Sequence, residues 1–202
     1  MALEQPEGGV GTSARILDTA ERLVQVRGFN AFSYADIAQE LGVTKASLHY
    51  HYPSKAVLGQ ELIGRYAARF GAALAEVDAR LSDPRAKLDA FTGLYADVLR
   101  DQRMCLCGML AAEYQTLPKT MQTAVVCFFN HCETWLQGVL REGQERGTLL
   151  LRASTADTAQ MIVGTLEGAM LIARSYGDIN RFQAAATQLL TSLTSDAPTP
   201  AP

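Results

Sequence analysis

Aromatic residues are scarce in this chain of 202 residues: Phe, Trp and Tyr together supply 7% of it, and glycine contributes 16 positions. That argues against an aromatic-rich β-sandwich. Cysteine is too sparse for a disulfide scaffold. The four thiols, Cys105, Cys107, Cys127 and Cys132, lie in a long chain whose first residues show no basic segment followed by an apolar one. The expectation is reduced thiols in a cytoplasmic protein. Long hydrophobic runs are missing as well. The most apolar stretch, Met161 to Ala173, is interrupted by Glu167 and is too short to span a bilayer, so no membrane partner is expected. An excess of positive charge is also absent, since the net charge is -3 and the pI about 5.6. This excludes a uniformly basic nucleic-acid coat but leaves room for a local basic face. Only 3 histidines are available for acid–base chemistry. No Gly-x-Ser-x-Gly elbow, His-Glu-x-x-His pair or phosphate-binding glycine loop is present. The Gly8-Gly9-Val10-Gly11 run lies in what reads as a tail. The chain is therefore expected to be no enzyme and to need no cofactor.

What remains is ample for a packed core: 48% hydrophobic and 19% charged residues, with a mean hydropathy of +0.01. Apolar residues recur at helical spacing almost throughout, and no period-2 alternation is long enough for a strand. Ile16, Leu17, Ala20, Leu23 and Val24 mark a first helix over 13–27, with Ser13 as its N-cap and Gly28 as its stop. Ser33-x-x-Asp36 resembles a capping box opening a helix over 34–41, which Gly42 ends. Thr44 caps a short helix over 45–51. Pro53 breaks the chain, and a long helix follows over 55–81. Further helices are predicted at 84–101, 107–116, 118–146, 155–174 and 179–194, with Pro118 in a first turn.

The segment Ala35 to Leu48 carries the strongest functional signal. Ala38 is small where two helices cross, Gly42 supplies a corner, and Val43 and Leu48 lock the second helix onto the first. That is a helix-turn-helix pattern. Its second helix presents Thr44, Lys45, Ala46, Ser47 and His49 outward. Between Leu41 and Lys55 there are lysines and histidines but no carboxylate, so this region is positive in an acidic chain.

Residues 15–62 resemble the DNA-binding domain of the TetR family of transcriptional regulators. The resemblance rests on Ile16-Leu-Asp-Thr-Ala-Glu-Arg-Leu23, Arg27-Gly-Phe29, Ser33-Tyr-Ala-Asp-Ile-Ala38, Leu41-Gly-Val-Thr-Lys-Ala-Ser-Leu48 and Tyr50-His-Tyr-Pro-Ser-Lys55. It implies an all-α chain divided into a tail at 1–12, a helix-turn-helix domain at 13–60, a helical effector-binding and dimerisation domain at 61–194, and a tail at 195–202. It further implies that Thr44, Lys45, Ala46 and Ser47 face base edges. Ser33, Tyr34, Tyr50, His51 and Lys55 would meet phosphate or pack against the recognition helix. His49 stands where the family usually has Tyr.

The partners implied are double-stranded DNA with a palindromic operator, a second copy of the chain, and a small-molecule effector. Gly164-x-x-x-Gly168 with Ala169 and Ala173 forms a small-residue stripe suited to close helix crossing, with the 118–146 helix as its expected companion in a four-helix dimer interface. Phe70, Phe91, Tyr95, Met104, Met109, Glu113, Tyr114, Phe128 and Trp135 are candidate effector-pocket residues, each equally fit for an ordinary core. Cys105 and Cys107 join them. Cys105-Leu-Cys107-Gly, with Glu113 and Leu117-Pro118, resembles a stretch in a branch that includes sensors of electrophiles, quinones or small unsaturated acids. Thiols near a helix N-terminus favour the thiolate, so a reactive cysteine is one expectation and a buried apolar residue the other. Cys127, His131 and Cys132 follow no recognised metal spacing, and no metal is assigned. A redox or metal sensor on the same scaffold, and a helical interaction protein without DNA binding, stand as alternatives.

Overall fold

The computed structural model describes residues 11–194, and the expected tails lie outside them except for Gly11 and Thr12. Thr12 already belongs to the first helix. The elements are α1 (Thr12–Arg27), α2 (Tyr34–Leu41), α3 (Lys45–His51), α4 (Lys55–Arg80), α5 (Pro84–Arg100), α6 (Leu106–Ala112), a 3-10 turn (Tyr114–Thr116), α7 (Lys119–Glu145), α8 (Thr155–Tyr176) and α9 (Ile179–Thr191). No strand occurs among the described residues, only an isolated bridge between Leu149 and Thr194.

Local chemistry accounts for most of the boundaries. Thr44, Ser54, Asp83, Ser154 and Asp178 each accept a backbone N–H at the start of the helix that follows. Pro84 sits in the first turn of α5, where its missing N–H costs nothing. Gly177 ends α8 in the left-handed conformation. Two expectations fail at ends. Ser13 is not a cap: Gly11 precedes the helix, and the Ser13 hydroxyl instead bonds the Tyr52 hydroxyl at 2.7 Å. Pro118 stands just before α7 rather than inside it. The predicted 107–116 helix breaks at Glu113, whose backbone leaves the helical region (φ -104°, ψ 12°).

One continuous apolar core runs from Ile16 and Leu23 in α1 through Leu62, Phe91 and Leu110 to Met170 and Phe182. α4 crosses the expected domain boundary without a break and feeds both ends of this core. Polar links brace it. Buried Glu21 of α1 receives Arg65 at 2.9 Å and also Arg69, both from α4. Lys87 reaches Asp78 at 3.0 Å and Glu142 at 3.3 Å, tying α4, α5 and α7 together.

Candidate nucleic-acid interface and effector site

The α2–α3 unit is assembled by bonds that close within a few residues. The Ser33 side chain accepts from Ala35 N–H, and the Asp36 carboxylate accepts from Ser33 N–H at 2.7 Å, completing the capping box. The Ser33 hydroxyl, donating to Asp36 at 2.7 Å, and then Ser33 N–H hold the Asp36 carboxyl below its ordinary range. Gly42 takes φ +67°, a conformation that costs other residues more, and so turns the chain into α3. Thr44 then caps α3 through Ser47 N–H at 3.2 Å.

Leu48 is the anchor of α3 and is fully buried, which forces the opposite face outward. Thr44, Lys45, Ala46, His49 and Tyr50 are exposed and Ser47 half-buried, so the predicted base-reading residues share one free surface. Tyr50, at 84% exposure, is the most prominent apolar group on it. A notch of about 450 Å³ lies beside this surface, lined by Ser33, Ala35, Lys45, His49 and Lys55. Two lysines and the start of α2 therefore border one concave surface.

Two of the proposed phosphate contacts, Tyr34 and Lys55, are committed within the chain. Tyr34 is buried and donates its hydroxyl to the Tyr52 carbonyl at 2.8 Å; burial, aided by Tyr52, raises its pKa to about 12. It is a core residue rather than a surface donor. Lys55 donates to the carbonyls of Phe29 and Phe32 and sits over both rings, 4.6 and 4.2 Å from their centroids. Desolvation lowers its pKa, opposed by the nearby Glu113 and Asp36. Its charge is spent first on holding the α1–α2 loop. The His49 ring lies tilted against that of Tyr34, 4.8 Å between centroids, with its Nδ1 3.3 Å from the Pro53 carbonyl. His51 is half-buried against the Tyr50 ring.

In the larger half, the predicted pocket residues separate into two places. Phe70, Phe91, Tyr95, Phe128 and Trp135 make one aromatic cluster, with Phe91 and Trp135 stacked at 5.6 Å and Phe70 edge-on to Phe128 at 5.3 Å. The Trp135 indole N–H donates to Asp78 at 2.8 Å. Cys105 and Cys107 are buried beside this cluster, and the Tyr66 hydroxyl donates to Cys105 Sγ at 3.7 Å. Cys105 does cap a helix N-terminus, through Gly108 N–H at 3.4 Å. The expected thiolate nevertheless fails: burial, and then the nearby Glu167, push both thiols well above their usual range. Desolvation outweighs the helix end here. Cys132 is also buried, with its pKa pushed to about 12 by burial, whereas Cys127 is exposed. No group of three or more metal-binding side chains forms among the described residues.

Glu113, Tyr114, Met104 and Met109 sit instead at the junction with α1. Glu113 accepts from Phe29 N–H at 2.6 Å and from Asn30 N–H at 3.2 Å. The Asn30 amide donates to Thr116 Oγ1 at 2.7 Å. Met104 N–H donates to the Gln25 carbonyl at 3.2 Å, and Arg174 reaches the Gln25 and Val26 carbonyls and the Met109 sulfur. Tyr114 contributes its carbonyl to Gln122. Assigning Glu113 to a pocket is thus corrected: its carboxylate is consumed by loop amides. Gly28 makes the approach possible, because at φ +93° a Cβ would lie 2.8 Å from the Glu113 carboxylate.

Comparison with known proteins agrees with both halves. The family described as "Bacterial regulatory proteins, tetR family" matches residues 16–62, and "Tetracyclin repressor-like, C-terminal domain" matches 84–189. The chain belongs to the TetR family of ligand-responsive transcriptional regulators. A TetR-family regulator from Agrobacterium tumefaciens is 36% identical, with a TM-score of 0.88 over 91% of this chain and 97% of that one. Another, from Legionella pneumophila, is 33% identical, with a TM-score of 0.81 over 92% and 98%. Among curated proteins, the transcriptional repressor DhaR of Mycobacterium sp. (strain GP1) is 24% identical over 72% of this chain and 73% of its own.

In this TetR-family chain the Gly164–Gly168 stripe faces outward. Nothing lies within 4 Å of a Cβ built at either glycine, and Ala169 is half-buried beside them. Met161, Leu171 and Ile172 extend the stripe as exposed apolar residues. Arg174, Asn30 and Thr116, which join the two halves, were not legible from the sequence: their partners lie 86 to 149 residues away.

Proposed function

We propose that this chain is a cytoplasmic repressor that binds a palindromic operator as a homodimer and releases it when a small molecule enters its C-terminal half. The observation that carries this is α3: Leu48 pins one face, and the other offers Thr44, Lys45, Ala46, Ser47, His49 and Tyr50 to solvent in a carboxylate-free segment of an acidic chain. Hydroxyl, ammonium and imidazole groups on a helix that fits the major groove are suited to base-edge reading. Phosphate would enter the notch between Lys45, Lys55 and the start of α2. Repression is supported by the name of the relative DhaR.

One unit reads few base pairs, and two copies set their recognition helices about 34–36 Å apart in successive grooves. The outward face of α8, with Gly164, Gly168, Leu171 and Ile172, is uncharged and apolar. The outward face of α9 offers Gln183, Ala184, Thr187 and Gln188 with a single charge, Arg181, held over the Tyr176 ring, whereas that of α7 carries Arg141 and Glu145. We therefore pair α8 with α9 rather than with α7 in the dimer interface.

Coupling runs through α6. Its N-cap Cys105 and first-turn Cys107 lie in the interior, and its C-cap Glu113 reaches the α1–α2 loop. That loop is gripped on its amides by Glu113 and on its carbonyls by Lys55. A ligand that displaces the start of α6 thus loosens the domain that carries α3. It shifts the equilibrium only by its difference in affinity for the two arrangements.

The test is anisotropy of a labelled duplex containing the inverted repeat beside the chain's own gene. Wild type binds with an affinity that falls steeply as salt rises. Lys45→Ala changes base preference. Indifference to the repeat refutes the proposal.

A further inference from the structure

Two polar atoms in the interior of the C-terminal half have no partner, Glu167 Oε1 on α8 and the Tyr95 hydroxyl on α5. Buried polar groups are nearly always satisfied, and an unmet polar atom in an apolar interior is costly; the Glu167 carboxyl is bonded to the Cys105 thiol but leaves Oε1 free. The titratable groups that couple to Glu167 come from four helices and their caps: Tyr66 on α4, Tyr95 on α5, Cys105 before α6, Cys107 within it, and Cys132 on α7. None is basic. Space for the carboxyl is kept by Gly108, where a Cβ would overlap Glu167 Oε2 and lie 2.8 Å from its Cδ. Tyr66 joins this group to the aromatic cluster, its ring meeting those of Phe70 and Phe128, which also meet each other.

We propose that this cluster is the recognition point of the effector, and that the effector is a small organic cation, an amine or quaternary ammonium, whose charge pairs with the Glu167 carboxylate between aromatic faces. The assignment rests on the reading of the C-terminal half as the effector domain. A buried carboxylate without a base and a set of π-faces are the two elements that recognise such cations. Burial has raised its pKa from 4.5 to about 7, so near neutrality the acid is shared between its two forms and a bound cation selects the ionised one. The Tyr95 hydroxyl supplies a further bond to a ligand hydroxyl or amine. Entry is across Tyr66. This ring lines a cleft of about 420 Å³ between α1, α4 and the α5–α6 connection, and its hydroxyl reaches Cys105 on the inner side.

The experiment titrates the full chain with tetramethylammonium and benzyltrimethylammonium. The control is dimethyl benzyl carbinol, a neutral alcohol of the same shape as the latter. Fluorescence of the single tryptophan, Trp135, reports binding from within the aromatic cluster. At least one ammonium binds, the carbinol binds about tenfold more weakly or not at all, and Glu167→Gln loses about tenfold in ammonium affinity. Calorimetry in two buffers shows net proton release on cation binding at pH 7, from a carboxyl whose pKa burial has raised. Equal binding of the carbinol, unchanged affinity in Glu167→Gln, or no binding by either ammonium overturns the assignment. Operator affinity is measured alongside. An ammonium that binds at Glu167 without weakening the operator complex leaves the site standing and overturns its role as effector site. Intact operator binding with no ammonium binding removes the cation assignment and leaves the regulator.

Discussion

The α2–α3 unit and the interior around Glu167 are built on opposite principles. In the first, the capping groups are used within the unit: Ser33 and Asp36 cap each other's ends, Thr44 closes α3, and Tyr34 spends its hydroxyl on Tyr52. In the second, Tyr95 and Glu167 leave bonds unmade among aromatic rings and thiols. The completed unit is a rigid reader whose free donors all point outward. The incomplete interior gains when something fills it. A ligand shifts a regulator only by its difference in affinity for two states, and the unmet bonds around Glu167 are where a ligand would gain that difference.

Substitutions can break or sharpen this contrast. The largest effect is expected at Glu167. Its folded pKa of about 7 exceeds the ordinary 4.5, so the native state binds the proton more tightly. This group therefore favours folding fully at low pH and loses that contribution as pH rises from about 4.5 to 7. The loss is on the order of 3 kcal/mol. Glu167→Gln removes that slope, and urea melts at pH 4 and pH 8 measure it. Gly108→Ala comes next. Its methyl must displace the Glu167 carboxyl, at a cost of about 1–3 kcal/mol read as a lower denaturation midpoint.

In the reader unit the effects are smaller and local. Thr44→Ala removes one cap and costs about 1 kcal/mol of stability in the same melts. Lys45→Ala, exposed and without an internal partner, changes stability by less than about 0.5 kcal/mol while altering operator preference. A large loss of stability from Lys45→Ala, or none from Gly108→Ala, would erase the distinction between the two regions.

Legibility in the sequence followed the same division. The α2–α3 corner rests on contacts three to five residues apart, and the capping box, Gly42 and the Thr44 cap were all readable from spacing. The nine α-helices of the described residues were likewise predictable to within a few residues, because their caps are local. The failures involve distant partners. Ser13 looks like a cap, yet its hydroxyl is taken by Tyr52. Glu113 looks like a pocket acid, yet it serves amides 83 and 84 residues earlier. Lys55 looks like a free phosphate contact, yet it first holds Phe29 and Phe32. The cysteines show how burial reverses an inference from helix position: Cys105 does cap α6, and still keeps its proton.

The account depends most on α3 entering duplex DNA, and a salt titration of operator binding tests that most directly. Two copies making several phosphate contacts each should give a log–log slope well below zero on the palindrome, with markedly weaker binding to scrambled duplex of equal length. Salt-independent binding, or equal affinity for palindrome and scrambled duplex, would contradict it.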